Sequence, residues 1–334
     1  MKKFKVVGDP SNKPRFSSRI IVDSLNDAAK RLDLYDDNGS VVVYDGVCNS
    51  HGYKPDAFIC SYEIAFPRII LQNAGGKPIF GVSRDNQRFI IEGGYPSELT
   101  NWILLGVDST LYPKIEKQKN KDKFVVGVYT ESLIRGGVEL CVDYFGEMFA
   151  GKKADHKLCI KDRNGTERFQ QWVADRAKFY DIDIEYLNCH FDSTAQIYDW
   201  FSGIDVHLYL NRSSTFAMPP AESMCMGIPT IAMSYSGPRE FIIDGFTGLC
   251  PEYELQCIED EFAFLQSIGT RNFFFLGGYK KNPVWAKPTS ESVCECLLKS
   301  MNPDTRKAIT ENGRIFAKTL TWERSAANLA QVLS

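Results

Sequence analysis

The sequence contains no apolar run near the roughly 20 residues a membrane-spanning helix needs, so no integral membrane segment is expected. Its amino terminus, residues 1–13, carries lysines but too short an apolar segment for a secretory leader. There is no basic excess. Lys and Arg number 39 against 42 Asp and Glu, a formal net charge of −3, whereas a dedicated nucleic-acid binder usually carries the opposite balance. The ten cysteines include no C-x-x-C pair. The nearest two, Cys294 and Cys296, have one residue between them, a poor spacing for zinc or dithiol chemistry. Such cysteines read as reduced, packed thiols, which implies a reducing compartment, the cytoplasm. The sequons at Asn164 and Asn211 are then chance matches. Histidine is scarce: four in 334 residues, of which only His51 falls in the first 108.

With 44% hydrophobic residues, a chain of this length can bury two cores of ordinary size. Its most informative stretch is 205–249. Asp205–Leu210 is a short β-forming run and reads as a buried strand. Asn211–Ala217 is a small polar loop at the strand's carboxyl end. Pro219 and Pro220 suit the first turn of a helix, Ala221–Met226 continues it, and Gly227 stops it. Pro229–Met233 is the next strand. Gly237, Pro238 and Arg239 are expected to open a second helix that Gly245 closes. This alternation is the unit of a parallel sheet, and such sheets bind ligands beyond the carboxyl ends of their strands. The N–H groups at the Pro219 helix start could hold a phosphate. Glu222, one turn inside, could accept from a sugar hydroxyl, which makes a nucleotide ribose a sensible partner.

The same stretch resembles the donor-binding segment of the family 4 retaining glycosyltransferases, which have the GT-B fold. The matching residues are Phe216-Ala217, Glu222-Ser223-Met224, Gly227-Ile228-Pro229-Thr230, Arg239-Glu240 and Asp244-Gly245-Phe246-Thr247-Gly248-Leu249, in family order. One glutamate of the pattern, which helps hold the donor sugar in relatives, falls on Ser214. The resemblance implies an α/β GT-B architecture: two Rossmann-like domains facing a cleft, with a C-terminal helix crossing back to the first. The first domain is expected over 1–108, with the helix 321–334 returning to it, and the donor domain over 109–320.

In chain order, strands are expected at Phe4–Val7, Val41–Tyr44, Ala57–Cys60, Pro78–Val82 and Trp102–Leu105, with a helix around Ser18–Leu32 and another from about Ile64 to Ala74. Phe16-Ser17-Ser18 stands where relatives have a glycine-rich loop. Gly106-Val107-Asp108 looks like the tripeptide closing the first domain in the family, and Ser109–Asp122 reads as the linker. This compact first domain is similar to that of virus-encoded members, such as those of chlorella viruses, in which case the compartment would be host cytoplasm. Phe124–Val128, Lys157–Lys161 and Ile184–Leu187 are further strands, Thr166–Tyr180 and Ser193–Ser202 helices. Segment 250–287, with Phe273-Phe274-Phe275 and Trp285, reads as a core satellite or extra hairpin. Helices follow from Ser290 and Pro303, and Trp322-Glu323-Arg324-Ser325 opens the last.

The resemblance places the site residues. Arg135 falls on the family's diphosphate-clamping lysine; its arginine falls near Tyr129 or Thr130, so one of two cations is missing. Lys161, at a strand end, is grouped with these as nucleotide-binding. Cys189 and His190 lie in the loop that presents backbone groups to the base. Ser214, Phe216, Ala217, Met218 and Glu222 complete the donor set. Many members have a histidine near the acceptor where this chain has Ser83-Arg84-Asp85, a stretch whose plain reading is a surface loop after the fourth strand; the resemblance makes Asp85, with Arg135, Ser214 and Glu222, a catalytic candidate. No catalytic metal is implied, and Asp181-Ile182-Asp183 reads as a turn.

The function implied is transfer of a hexose from a nucleotide diphosphate sugar, with retention, to a glycan, glycoprotein or other hydroxyl acceptor. GDP-mannose is favoured as donor because mannosyltransferases are common in the family; a UDP-hexose is the alternative. A nucleotide-sugar-binding relative without activity, suggested by Ser214 and the missing cation, and a non-hydrolysing sugar-nucleotide epimerase are the other readings. A DNA-glucosylating subtype is disfavoured by the acidic balance. A homodimer is neither implied nor excluded.

Overall fold

A computed structural model describes residues 1–10, 17–45, 48–61, 68–116, 122–131, 133–271 and 283–334. The expectations for the loop bearing Phe16 and for Phe273-Phe274-Phe275 lie outside the described residues.

The first domain runs β1 (Phe4–Val7), α1 (Ser17–Arg31), β2 (Ser40–Tyr44), β3 (Ala57–Cys60), α2 (Arg68–Asn73), β4 (Ile79–Gly81), α3 (Arg84–Glu92) and β5 (Thr100–Trp102). The strands form one parallel sheet in the order β1-β2-β3-β4-β5. All four residues of β3 are buried, the pattern of a sheet covered on both faces. Two expectations shift here. The fifth strand lies at Thr100–Trp102, two residues early. The expected loop after β4 is a helix, because Ser83 caps it by accepting from the Asn86 N–H.

The second domain runs β6 (Phe124–Tyr129), α4 (Val138–Phe149), β7 (His156–Asp162), α5 (Glu167–Tyr180), β8 (Asp183–Asn188), α6 (Thr194–Ser202), β9 (Val206–Tyr209), α7 (Met218–Met226) and β10 (Thr230–Ala232). Its parallel sheet has the order β10-β9-β6-β7-β8. The order therefore reverses between β6 and β9, the switch point beyond which such sheets leave a crevice. The expected helix after Ser236 is only a four-residue 3-10 turn, Gly237–Glu240. Thr247 ends it, accepting from the Ile243 N–H and donating to the Phe241 carbonyl through one hydroxyl. Asp181 is the left-handed cap of α5, so Asp181-Ile182-Asp183 is the expected turn.

Segment 250–287 supplies an antiparallel pair, β11 (Tyr253–Cys257) and β12 (Val284–Pro288), with α8 (Ile258–Ser267) after the first strand. Helices α9 (Ser290–Met301), α10 (Pro303–Ala317) and α11 (Trp322–Leu333) complete the chain. All ten cysteines are unpaired. Among the described residues no helix is long and apolar enough to cross a membrane.

Helix α11 crosses back and packs on α1. Thr321 caps it, Ser325 donates to the buried Leu104 carbonyl, and Arg31 pairs with Glu323 at 2.6 Å. The crossing point is Gly106, where an added Cβ would stand 2.5 Å from the Trp322 backbone nitrogen. Both neighbours are backbone and cannot swing aside. Gly106→Ala is therefore expected to destabilise the protein by about 1–3 kcal/mol, the usual cost of overpacking. Urea denaturation of the two proteins checks this; equal midpoints would refute the crossing as drawn.

Candidate active site

A cavity of about 540 Å³ opens where the carboxyl ends of β6, β7 and β9 face the first domain, a volume that suits a small-molecule ligand. The first domain contributes Ile20, Ile21, Tyr44, Ser61 and Leu105 to its wall. The rest comes from the second.

The loop after β6 delivers Arg135. Its shape depends on Gly136 and Gly137. A Cβ on Gly136 would meet the Glu131 carbonyl oxygen at 1.9 Å, and one on Gly137, at φ +65°, would meet that of Leu210 at 2.1 Å. Arg135 is held from β9. Asn211 is fully satisfied with its amide nitrogen toward Thr130 Oγ1 (2.7 Å) and the Gly136 carbonyl (2.6 Å). Its oxygen then accepts from the Tyr209 hydroxyl (2.6 Å) and the Arg135 guanidinium (3.3 Å). The Arg135 carbonyl accepts from the Arg212 N–H at 2.8 Å.

Glu222 lies on the buried side of α7. Tyr112 donates to it at 2.9 Å. Burial pushes the Glu222 carboxyl up to about 7, against the opposing pull of that hydrogen bond and the Lys161 charge. One carboxylate oxygen is thus already engaged by a residue of the expected linker. Burial also raises the Tyr112 phenol, with the Glu222 charge adding to it, so Tyr112 is a donor at any ordinary pH.

The start of α7 departs from the expected phosphate cradle. Ala217 is left-handed, at φ 69°. Pro219 and Pro220 have no N–H to offer, and the Ala221 N–H reaches back to the Ala217 carbonyl at 3.5 Å. In the first turn only Met218 retains an N–H without a helical role. The proline pair that marks the helix start in the sequence also strips it of donors.

Lys161 ends β7 and is 2% exposed. Its ammonium sits 4.7 Å from the Tyr129 ring centre and 5.0 Å from that of Phe191. Burial first, and the Arg163 charge second, lower it to about 8. Arg163 itself pairs with Glu131.

Of the expected site residues, Tyr129, Thr130, Arg135, Lys161, His190, Ser214, Phe216, Ala217, Met218 and Glu222 all line this cavity. Cys189 and Asp85 do not. Cys189 is exposed beside the cavity, its N–H bonded to the Asp162 carbonyl at 2.9 Å. Asp85 sits in the first turn of α3 and accepts from the Ser236 N–H at 3.0 Å across the domain boundary, with Arg88 at 3.1 Å. In return Glu240 accepts from the Arg84 N–H at 2.8 Å. Each domain thus supplies a carboxylate to the helix start of the other, and Asp85 is occupied in holding the domains together. Ser214 is buried. Its carbonyl takes the Gly237 N–H at 2.6 Å and the Ser236 hydroxyl at 2.8 Å, while its own hydroxyl, 3.2 Å from the Tyr209 oxygen, donates to it, the one Tyr209 proton being given to Asn211. Tyr112, Phe191, Asn211 and Arg163 are site residues the motif reading passed over. The sequon asparagine Asn211 is buried, which makes it no glycan acceptor. Among the described residues no group of three or more His, Cys, Asp or Glu side chains is placed to hold a metal.

Comparison with known proteins agrees with this architecture. Residues 113–258 match the family described as Glycosyl transferases group 1. An uncharacterized glycosyltransferase of Methanocaldococcus jannaschii is 27% identical over 122 residues; the match takes in 36% of this chain and 25% of that protein, a shared segment rather than a shared length. Among solved structures, Anabaena HepE in complex with UDP and glucose overlays on 100% of this chain and 99% of its own, with TM-score 0.67 at 15% identity. A glycosyltransferase from Rickettsia africae overlays on 97% of this chain and 83% of its own, with TM-score 0.63 at 12% identity. WaaG, a glycosyltransferase of lipopolysaccharide biosynthesis, does so on 92% and 80%, with TM-score 0.60 at 11% identity. HepE shares the whole compact architecture, first domain included, so a short first domain does not mark a viral member. The fold is GT-B, and within it residues 113–258 are similar to the glycosyl transferases group 1.

Proposed function

We propose that the protein transfers a hexose, with retained configuration, from a nucleotide diphosphate sugar to a hydroxyl acceptor held in the cleft. The observation that carries this is the convergence of Arg135, Lys161 and Glu222 on one cavity at the sheet's switch point. The bond that breaks joins the anomeric carbon to a phosphate oxygen. Its electron pair leaves with the diphosphate, so negative charge gathers where the two cations stand. The departing phosphate oxygen can take the acceptor's proton, which leaves no need for a protein nucleophile. Glu222 supplies an acceptor for ribose hydroxyls, and the loop of His190 and Phe191 borders the base. The descriptions of HepE name UDP with glucose and UDP-glucose, which supports a uridine diphosphate hexose as donor ahead of GDP-mannose. The acceptor is a glycan or other polyol whose hydroxyl enters from the first domain's side.

A second reading, binding without transfer, has one observation in its favour. Ser214 replaces a sugar-holding glutamate, and its carbonyl and hydroxyl are both already bonded within the protein. Calorimetric titration with UDP-glucose, UDP-GlcNAc, GDP-mannose, UDP and GDP separates the two when paired with a turnover assay. UDP-glucose binding more tightly than UDP, with release of UDP on addition of oligosaccharide acceptors, is the expected result. Equal affinity for UDP and UDP-glucose without turnover would support the binding-only reading, and binding of none would end both.

Glu222 gives a prediction of opposite signs. Its folded-state pKa, about 7, lies above the ordinary 4.5. Between those values the folded protein holds a proton that the unfolded chain has lost. Stability therefore falls as pH rises through that window, and the penalty is fully present above 7. Glu222→Gln removes the buried charge. It is expected to stabilise the protein at pH 8 by about 2–3 kcal/mol, with the gain vanishing near pH 4.5. The same variant should bind UDP about tenfold or more weakly, as befits a lost charged hydrogen bond. It should also lose the wild-type preference for UDP over 2′-deoxy-UDP. A variant that kept that preference would remove Glu222 from the ribose site.

A further inference from the structure

The cavity has an electrostatic shortfall. A diphosphate at the start of α7 would ordinarily rest on free helical N–H groups, but the left-handed Ala217, the paired Pro219 and Pro220, and the bonded Ala221 N–H leave Met218 nearly alone in that role. Two negative phosphates therefore need side-chain charge. Arg135 stands on the β6 side. On the other side Arg163 is already matched by Glu131.

Lys161 has no bonded partner of opposite charge, although the charges of Glu131, Asp162 and Glu222 are felt at its position. Its side chain is among the largest of those fully buried, yet among the described residues its ammonium forms no hydrogen bond and no ion pair. It lies against the faces of Tyr129 and Phe191, at 4.7 and 5.0 Å. Ring faces offer a cation about 0.5–2 kcal/mol, less than the several kcal/mol that burying it costs. A buried ammonium kept in this way in the wall of a cavity is a charge waiting for an anion. The two rings fix where the side chain can go without neutralising it. The lowered basicity of Lys161 has the same cause, since burial outweighs every favourable contact.

We propose that Lys161 is the second cation of the diphosphate site, delivered from the end of β7 rather than from the loop after β6, and parked on Tyr129 and Phe191 until a phosphate oxygen arrives. The inference rests on the nucleotide diphosphate sugar reading and deepens it. Lys161 then acts on charge alone: it contributes nothing to an uncharged nucleoside and progressively more as phosphates are added. A purely structural lysine, filling the space between two rings, would act on nucleoside and nucleotide alike.

The test is calorimetric titration of wild type, Lys161→Met and Lys161→Arg with uridine, UMP and UDP at one fixed pH, with the guanosine series in parallel. Wild-type affinity is expected to climb from nucleoside to diphosphate. Lys161→Met should match wild type for the nucleoside and lose roughly 10- to 150-fold for the diphosphate, the equivalent of one charged hydrogen bond. Lys161→Arg should recover most of that loss. Methionine preserves the apolar stem between the rings; Lys161→Gln serves the same comparison should the methionine variant fail to fold. Unchanged diphosphate affinity in the variants, or equal losses for nucleoside and diphosphate, would overturn the proposal while leaving the donor reading intact. Wild-type protein that binds none of these compounds would overturn both.

Discussion

The arrangement of the site depends on one buried guanidinium. Arg212 is 1% exposed and would be ruinous there unpaired, since an uncompensated buried charge costs several kcal/mol. It meets Glu139 of α4 at 2.5 Å and Glu261 of α8 at 3.1 Å, and lies 5.0 Å from the Trp285 ring centre. Lys287 on β12 also pairs with Glu261. The Arg212 backbone is committed on both sides: its N–H goes to the Arg135 carbonyl at 2.8 Å, and its carbonyl takes the Ala286 N–H at 3.0 Å. The loop that presents Arg135, the first helix of the second domain and the β11–β12 pair are thereby tied to one residue at the end of β9. This gives segment 250–287 a purpose that its composition does not declare. It supplies the acid and the ring that let an arginine be buried next to the cavity.

Much of this was legible in the sequence, for a physical reason. Parallel strands covered on both faces are short, unbroken apolar runs, and Val41–Tyr44, Ala57–Cys60 and Phe124–Tyr129 stand out as such. Helix α7 is bounded by Pro219 and Gly227, whose backbone constraints act locally. What was not legible depends on partners distant in sequence. Gly237-Pro238-Arg239 has the composition of a helix start, but the Thr247 hydroxyl closes the turn from beyond it. Ser83 caps a helix that reads as a surface loop, since its apolar face, Phe89 and Ile90, is short. Tyr112 lies in a lysine-bearing linker, where nothing local shows that its hydroxyl reaches Glu222, 110 positions away. Lys161 reads as an ordinary strand-end lysine until β6 and the loop after β8 bring Tyr129 and Phe191 to its sides.

The two domains meet through reciprocal capping as well as through α11. Asp85 receives the Ser236 N–H and Glu240 receives the Arg84 N–H. The Asp85 contact is buried, whereas the Arg84 side chain beside the other is largely exposed. Both lie at the first turn of short helices, where backbone N–H groups favour negative charge. The position that the family resemblance pointed to for acceptor chemistry, Asp85, is thus used to fix the relation of the domains.

The same contact reaches the donor side. Ser236 takes φ +57°, ψ −139°, a backbone conformation that a residue with a side chain adopts only when its surroundings impose it. Here they do. Its N–H is held by Asp85 of the first domain and its hydroxyl by the Ser214 carbonyl, while the adjoining Gly237 N–H takes that carbonyl as well. Gly237 must be glycine, because a Cβ would lie 2.5 Å from the Phe216 backbone. Ser214 is therefore pinned by two bonds to its carbonyl, which leave its side chain pointing at Tyr209 rather than free to adjust to a ligand. A glutamate in that place would present a carboxylate to a sugar; a serine so fixed presents a wall. In the proposed donor site, sugar selection would then fall to the shape of the cavity between Ser214 and Phe216, and the geometry that joins the domains would set that boundary as well.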